Sequence, residues 1–195
     1  LYDADENQSA IGNVTATDVD SSSLTYSVSG SELLMTAEGV LTFVAEPDYE
    51  TKSSYTATVT VTDGGLSASQ PITVTINNLN DNSPVFTSST SFSADENQTA
   101  IATLTATDAD GDSPTFSVSG TELTVTSGGV LTFASEPDYE TKTSYTATVT
   151  ANDGANSTTQ SITVSINNLN DNDPVFSTGA TFSADENQTA IGTAA

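Results

Sequence analysis

Carboxylates at fixed spacing are the side chains of this sequence that could do chemistry. Glu6 in "DENQ" returns as Glu96, and Asp48 and Glu50 in "PDYE" return as Asp138 and Glu140. Asp18 and Asp20 in "TDVD" return as Asp108 and Asp110 in "TDAD", and Asp63 returns as Asp153 at the end of a Thr-rich stretch. Each pair is 90 positions apart, as from 6 to 96. A merely soluble surface needs charge but not fixed positions; a coordinated cation needs both. Oxygen ligands of this kind suit Ca²⁺, which takes roughly six to eight of them. The chain has no Cys and no His, so Zn²⁺ and Cu²⁺ find no ligands they favour, and catalysis based on His or Cys is excluded. Asp48 and Glu50 invite comparison with a glycosidase pair, which needs carboxyls about 5 to 9 Å apart across a sugar cleft. Two residues apart on one loop and among other acids, they read as a metal clamp, and the chain reads as no enzyme.

The charge balance narrows the partners. Asp and Glu number 26 against two basic residues, Lys52 and Lys142, for a net charge of −24. Phosphate backbones and anionic membrane surfaces both call for clustered Lys and Arg, so neither nucleic acid nor an anionic membrane is expected as a partner. The sequence holds no apolar run of about 20 residues, so this stretch predicts no direct membrane insertion. It carries no recognisable leader, and it opens and closes partway through its own pattern, as a piece of a longer chain does.

The elements that must position the acids follow the same repeat. "ADENQSAIG" from Ala4 returns at Ala94 and Ala184, and "SYTATVTVTDGG" from Ser54 returns as "SYTATVTANDGA" from Ser144. A unit of 90 residues can bury its own core, so the expected organisation is 1–82 as a first repeat, 83–172 as a second and 173–195 as the start of a third. Tyr55, Ala57, Val59 and Val61 alternate with Thr56, Thr58, Thr60 and Thr62, and Ile72, Val74 and Ile76 alternate with Thr73 and Thr75. That period of two places one face in a core and the other in water. Short strands divided by Gly, Pro, Asp and Ser predict an all-β sandwich. "EPDYETKSS" is expected to hold one short turn, since Pro47 and Asp48 suit its start.

Between the repeats lies "NNLNDNSPVF" (77–86), which returns as "NNLNDNDPVF" (167–176) with one substitution. A linker that only had to be flexible would not need the same residues twice. Taken with Glu6, "DYE" (48–50), "TDAD" (107–110) and "ND" (152–153), it resembles the calcium-binding motifs of cadherin repeats, in the family's order and over the whole chain. The resemblance implies tandem seven-strand Greek-key (immunoglobulin-like) sandwiches joined by calcium-binding linkers, with three Ca²⁺ at each junction. It assigns the central junction to Glu6, Asp48 and Glu50 of the first repeat, to Asn80 and Asp81 of the linker by side chain, and to Leu79 and Asn82 by carbonyl oxygen. Asp108, Asp110 and Asp153 come from the second repeat. Glu96, Asp138, Glu140, Asn170 and Asp171 form a lower half-site, and Asp18, Asp20 and Asp63 an upper one, each expected to hold fewer and weaker ions. The central set carries seven negative charges against six on three Ca²⁺. Two carboxylates about 5 Å apart repel by roughly 3 kcal/mol at an effective dielectric near 20, so the metal-free junction is expected to be strained and the loaded one cross-linked.

Two departures from the family pattern stand out. Asn78 replaces the usual first Asp of the linker, and there is no Trp to dock in a strand-exchange mode of adhesion. The Thr- and Ser-rich, Cys-free repeats are similar in style to a bacterial surface protein. The functional expectation is a calcium-stiffened spacer in an extracellular, cell-surface adhesin. The alternative is a module that binds a polysaccharide or another cell-surface protein, with Tyr2, Tyr26, Tyr49 and Tyr139 as candidate platforms. An ice- or mineral-binding role for the Thr array is a third reading, set against the plain strand preference of Thr.

Overall fold

The computed structural model describes residues 1–177, 179, 181 and 183–191. Every regular element among them is a strand. The first repeat runs β1 (Tyr2–Asp5), β2 (Ala10–Asn13), β3 (Thr25–Val28), β4 (Leu33–Met35), β5 (Val40–Phe43), β6 (Ser54–Thr62) and β7 (Ser67–Asn77). β1, β7, β6 and β3 form one sheet and β2, β5 and β4 the other. Two sheets with alternating apolar faces must stack to bury them, and Leu41, Phe43, Val59, Val74 and Ile76 fill the space between. β1 lies parallel to β7, with Ala4 opposite Ile76 and Asp5 opposite Asn77. Residue Glu6 therefore leaves the sheet beside the start of the linker.

The second repeat opens with β8 (Val85–Phe86), β9 (Ser91–Asp95), β10 (Ala100–Thr103) and β11 (Ala106–Thr107). It continues with β12 (Thr115–Val118), β13 (Leu123–Val125), β14 (Val130–Phe133), β15 (Ser144–Asn152) and β16 (Ser157–Asn167). β9 repeats the parallel pairing by lying along β16, while β8 pairs antiparallel with β11 on the other side of the sandwich. Buried Leu104 sits between β10 and β11 and breaks that edge in two. Its N–H donates to the carbonyl of Gly129 at 2.8 Å, and a Cβ on Gly129 (φ +91°) would lie 2.4 Å from the carbonyl oxygen of Leu104, so only glycine fits there.

The expected turn at "EPDYETKSS" is present: Lys52 N–H donates to Asp48 O at 2.8 Å. Pro47 and Pro137 are buried beneath these turns. Both basic side chains are held away from the acidic grid, Lys52 paired with Glu32 and laid over Tyr55, Lys142 paired with Glu122 and laid over Tyr145. Tyr2, Tyr49 and Tyr139 pack against the cores, and the Tyr26 hydroxyl accepts the N–H of Ala16 at 2.8 Å. The Thr array is partly engaged too: the Thr60 hydroxyl is 2.8 Å from that of Ser69, and the Thr62 hydroxyl donates to Leu66 O. The expected opening of a third repeat falls partly outside the described residues; within those described after Asn167 no strand is formed.

Candidate metal centre

Glu6 is the foundation of the first junction. It is only 3% exposed, a burial that among the acids its repeat partner Glu96 shares. Oε2 accepts the N–H of Tyr49 and Oε1 that of Leu79, both at 2.8 Å. One buried side chain thus fixes the "DYE" turn and the first residues of the linker. Burying a charge is costly unless it is hydrogen-bonded, and here two backbone donors meet it. Asn7 follows in the left-handed region (φ 61°), a conformation Asn adopts more readily than most residues. This bend lets Asn7 N–H reach Pro47 O at 2.9 Å, while its side-chain amide donates to Asp81.

The linker is then gripped by the second repeat. Asp110 Oδ2 accepts the N–H of Asp81 (3.0 Å) and of Asn82 (2.9 Å), and Oδ1 accepts the Asn82 side-chain amide at 2.8 Å. That same amide reaches Asp81 Oδ1 at 2.9 Å and Glu50 Oε2 at 3.3 Å. Asn78 donates to the Asp110 carbonyl at 2.9 Å, a bond that the Asp usual at this position would not make. On the other flank, the Asn156 amide faces Asn80 O and Asn80 Oδ1 (3.3 Å each) and Asn82 O (3.1 Å).

Carboxylate oxygens of Glu6, Asp48 and Glu50 lie within 4.8 Å of one another, and so do those of Glu50, Asp81 and Asp110. Asp108, Asp110 and Asp112 form a third such group. Glu50 thereby joins the first repeat to the linker and to the second repeat. Burial pushes its pKa above the usual 4.5, and the charges of Glu6, Asp110 and Asp48 add to the rise. Asp110 is held below the usual 3.8, first by the Asn82 amide and then by the linker N–H groups. The Thr51 hydroxyl does the same for Asp48, and Thr141 for Asp138. At Asp153, burial raises the pKa but the N–H groups of Asn156 and Ala155 outweigh it, each 2.7 Å from Oδ1.

Among the described residues, two buried side-chain acceptors stay unpaired. Asp108 Oδ2 and Asp153 Oδ2 are buried without a hydrogen-bond partner. Buried polar atoms are almost always satisfied, and an orphaned carboxylate oxygen is the kind of atom a cation satisfies. With no Lys or Arg nearby, the donor set is wholly oxygen, which fits Ca²⁺.

The other predicted residues are arranged differently. Glu96 (2% exposed) repeats Glu6, accepting the N–H of Tyr139 and of Leu169 at 2.7 Å, and a group forms with Asp138 and Glu140. Asn97 donates to Asp171, and Asn172 to Asp171 Oδ1 at 2.9 Å, but Asn170 and Asp171 remain exposed. Asp18 closes on its own turn through the N–H groups of Asp20 and Ser21 at 2.8 Å. Asp63 accepts those of Gly65 and Leu66 at 2.7 Å, and the Leu66 bond is the main reason its pKa is lowered. Among the described residues the structure does not draw Asp18, Asp20 and Asp63 into one group.

Sequence reasoning missed Asn7, Asn156 and Asp112. Asn7 recurs as Asn97 and Asn187 on the same grid, which was a signal. Asn156 and Asp112 replace Leu66 and Ser22, so a search for repetition passes over them.

A family profile described as Bacterial Ig domain matches residues 2–76 and 80–167. Human Protocadherin Fat 1 is 33% identical over 179 residues, which cover 80% of this chain and 4% of that protein. Cadherin-99C of Drosophila melanogaster is 33% identical over 192 residues, covering 88% of this chain and 11% of that protein. The chain is thus a small part of the length of these relatives. Domains EC22–24 of mouse Cadherin-23 superpose with a TM-score of 0.78 at 23% identity, over 91% of this chain and 66% of that one. Extracellular cadherin domains 3–6 of Protocadherin Gamma B2 superpose with a TM-score of 0.69 at 26% identity, over 79% of this chain and 43% of that one.

Proposed function

The chain belongs to the bacterial Ig-domain family, its repeats are cadherin-like, and from that premise we propose that it is a calcium-stiffened spacer in the extracellular part of a cell-surface adhesion protein. Ca²⁺ would be held between the repeats by Glu6, Asp48, Glu50, Asn80, Asp81, Asp108, Asp110 and Asp153, with carbonyl oxygens of Leu79 and Asn82. The ions would supply the positive charge that this acidic junction lacks. Glu6 orders the "DYE" turn and the linker, Asp110 holds the linker to the second repeat, and Glu50 stands between the two. Three segments that could otherwise swing apart become one coordination shell, so the hinge stiffens. The partner of the whole protein would be another cell-surface protein, presented at a distance by a stack of such repeats, on a bacterial surface.

The observation that carries this reading is the pair of buried, unpartnered oxygens, Asp108 Oδ2 and Asp153 Oδ2. Calorimetric titration of Ca²⁺ into the chain and into Asp81→Ala and Asp5→Ala variants tests it. Asp5 lies in β1 and accepts a hydrogen bond from Asn77, outside the set. Cooperative binding should be lost with Asp81→Ala and kept with Asp5→Ala. Equal binding by the two variants would refute the assignment.

A further inference from the structure

Three aspartates of this chain are followed directly by glycine: Asp63–Gly64, Asp110–Gly111 and Asp153–Gly154. An aspartate before glycine can close on its own main chain. The glycine nitrogen attacks the side-chain carboxyl carbon and a C–N bond forms. The nitrogen's proton, one carboxyl oxygen and a proton from solvent leave as water. A second water then opens the cyclic imide. Where it breaks the bond between the nitrogen and the original backbone carbonyl, the chain runs on through the side-chain carbon and the old carbonyl becomes a free carboxylate. The product is isoaspartate, of unchanged mass, with nothing oxidised or reduced. Glycine favours the step because no side chain obstructs its nitrogen.

The three pairs differ in what restrains them. Gly64 N–H donates to Thr62 Oγ1 and Gly154 N–H to Asn152 Oδ1, both at 3.0 Å. Their carboxylates are pinned in the same turns. Asp63 Oδ1 accepts the N–H groups of Gly65 and Leu66, and Asp153 Oδ1 those of Ala155 and Asn156, all at 2.7 Å. A nitrogen whose hydrogen is shared with an acceptor gives it up less readily, and a pinned carboxyl cannot turn onto it. Every one of these partners is within three positions, so the restraint lasts as long as the turn.

Asp110–Gly111 lacks both local restraints. Among the described residues nothing accepts the Gly111 N–H. Gly111 is exposed and outside every strand, at φ +89°, and a Cβ there would meet nothing within 4 Å. The Asp110 carboxylate is held by Asp81 N–H, Asn82 N–H and the Asn82 amide, and its carbonyl by the Asn78 amide. All of these donors belong to the linker, 28 to 32 positions away. When the linker swings off, nothing local keeps the carboxyl from the Gly111 nitrogen.

We propose that Asp110–Gly111 is a modification site: its isomerisation to isoaspartate releases the linker from the second repeat, and the bound linker guards it. Isoaspartate lengthens the main chain by one carbon and carries its carboxylate on an arm shorter by one carbon. The oxygens that hold Asp81 and Asn82 are then out of place. The guarding rests on hydrogen bonds of the structure; any further protection by Ca²⁺ rests on the proposed function.

The test is to hold the whole chain in warm neutral buffer, in EDTA and in Ca²⁺, and to locate isoaspartate by methyltransferase labelling and mass mapping of peptides. In EDTA, Asp110 should convert several-fold faster than Asp63 or Asp153. Asn82→Ala, which removes one donor to the Asp110 carboxylate, should raise the Asp110 rate further and leave the Asp63 rate unchanged. Converted chain, separated by chromatography, should show faster hydrogen exchange at the Asp81 and Asn82 amides than unconverted chain. Equal rates at the three pairs, Asp110 the slowest, or an Asp110 rate untouched by Asn82→Ala would overturn the proposal. Slower conversion of Asp110 in Ca²⁺ would support both this site and the proposed function. The same rate in both buffers, with Asp110 still the fastest, would support this site and count against the proposed function.

Discussion

The two linkers of this chain have nearly the same sequence and very different surroundings. Both are anchored alike at their start, Leu79 on buried Glu6 and Leu169 on buried Glu96. Three residues later they part. Asn82 is half-buried, with Asp110 receiving its backbone N–H and side-chain amide, whereas Asn172 is exposed and donates to its neighbour Asp171. Pro84 is buried and Pro174 exposed. Half of the junction is therefore built by the repeat above the linker, and that half is the same at both linkers. The other half is contributed by the β11–β12 and β15–β16 connections of the repeat below, which hold Asp108, Asp110 and Asp153.

By that division, one substitution should act very differently at equivalent places. Asp110→Ala removes the acceptor of both linker N–H groups and one carboxylate shared between two acidic groups. Calcium affinity at the centre should fall by about a hundredfold or more, read by calorimetry. Asp20→Ala, at the matching position of the first repeat, should leave the central affinity within about twofold, because surface acids distant from a site act on it only weakly. A similar loss from both would collapse the comparison.

A smaller contrast is expected from the buried glutamates. Glu6→Gln keeps the shape of the anchor but places an NH₂ where an oxygen accepts an N–H. One of the two bonds, to Tyr49 or to Leu79, is lost, at a cost of about 1–3 kcal/mol. The melting temperature should fall for Glu6→Gln and for Glu96→Gln alike in EDTA, while in Ca²⁺ only Glu6→Gln should also lose central affinity. Scanning calorimetry in the two buffers separates these effects.

Asn156→Leu, which installs the residue found at position 66, should have a milder effect. It leaves every carboxylate in place and removes the amide that meets Asn80 and Asn82. Loss of a bond of this kind costs about 1 kcal/mol. Hydrogen exchange at the Asp81 and Asn82 amides should quicken several-fold in EDTA, while the sandwich cores exchange as before. Unchanged exchange would mean that Asp110 alone holds the linker.

Acid should give the smallest change, and one that reverses sign. Glu50 has a raised pKa, so its ionised form is disfavoured in the folded junction, and protonation as the pH falls through that raised value relieves repulsion. Asp110 has a lowered pKa, so its contribution is fully present above 3.8 and is lost as the pH falls through its folded value below that. In EDTA, linker order followed by NMR should therefore rise slightly as the pH falls towards 4.5 and fall again below 3.8. A monotonic change would show that the two carboxylates do not oppose each other.

Much of this was legible in the sequence because it is local or periodic. Alternation in 54–62 and 72–76 placed β6 and β7, since a strand buries every second residue. The 90-residue grid picked out Glu6, Asp48, Glu50 and their copies because coordination fixes positions. Contacts that cross from one repeat to the next leave no such trace. The grip of Asn156 on Asn80 and Asn82 joins residues more than 70 positions apart, and position 66 is a leucine. The split of the edge into β8 and β9, pairing on opposite sides of the sandwich, likewise depends on where buried Leu104 interrupts its neighbour. The gathering of carboxylates was expected to strain the metal-free junction. Amide groups of Asn7, Asn78 and Asn82 lie among those acids and bond to Asp81, Glu50 and Asp110.

On the proposed function, calcium turns the junction between the two sandwiches from a hinge into a strut. Small-angle X-ray scattering of the chain in millimolar Ca²⁺ and in EDTA, at a dilution where single chains prevail, measures this directly. The maximum dimension should be longer and the spread of conformations narrower with calcium, and the ensemble shorter and more varied without it. The same maximum dimension and the same flexibility in both buffers would contradict it.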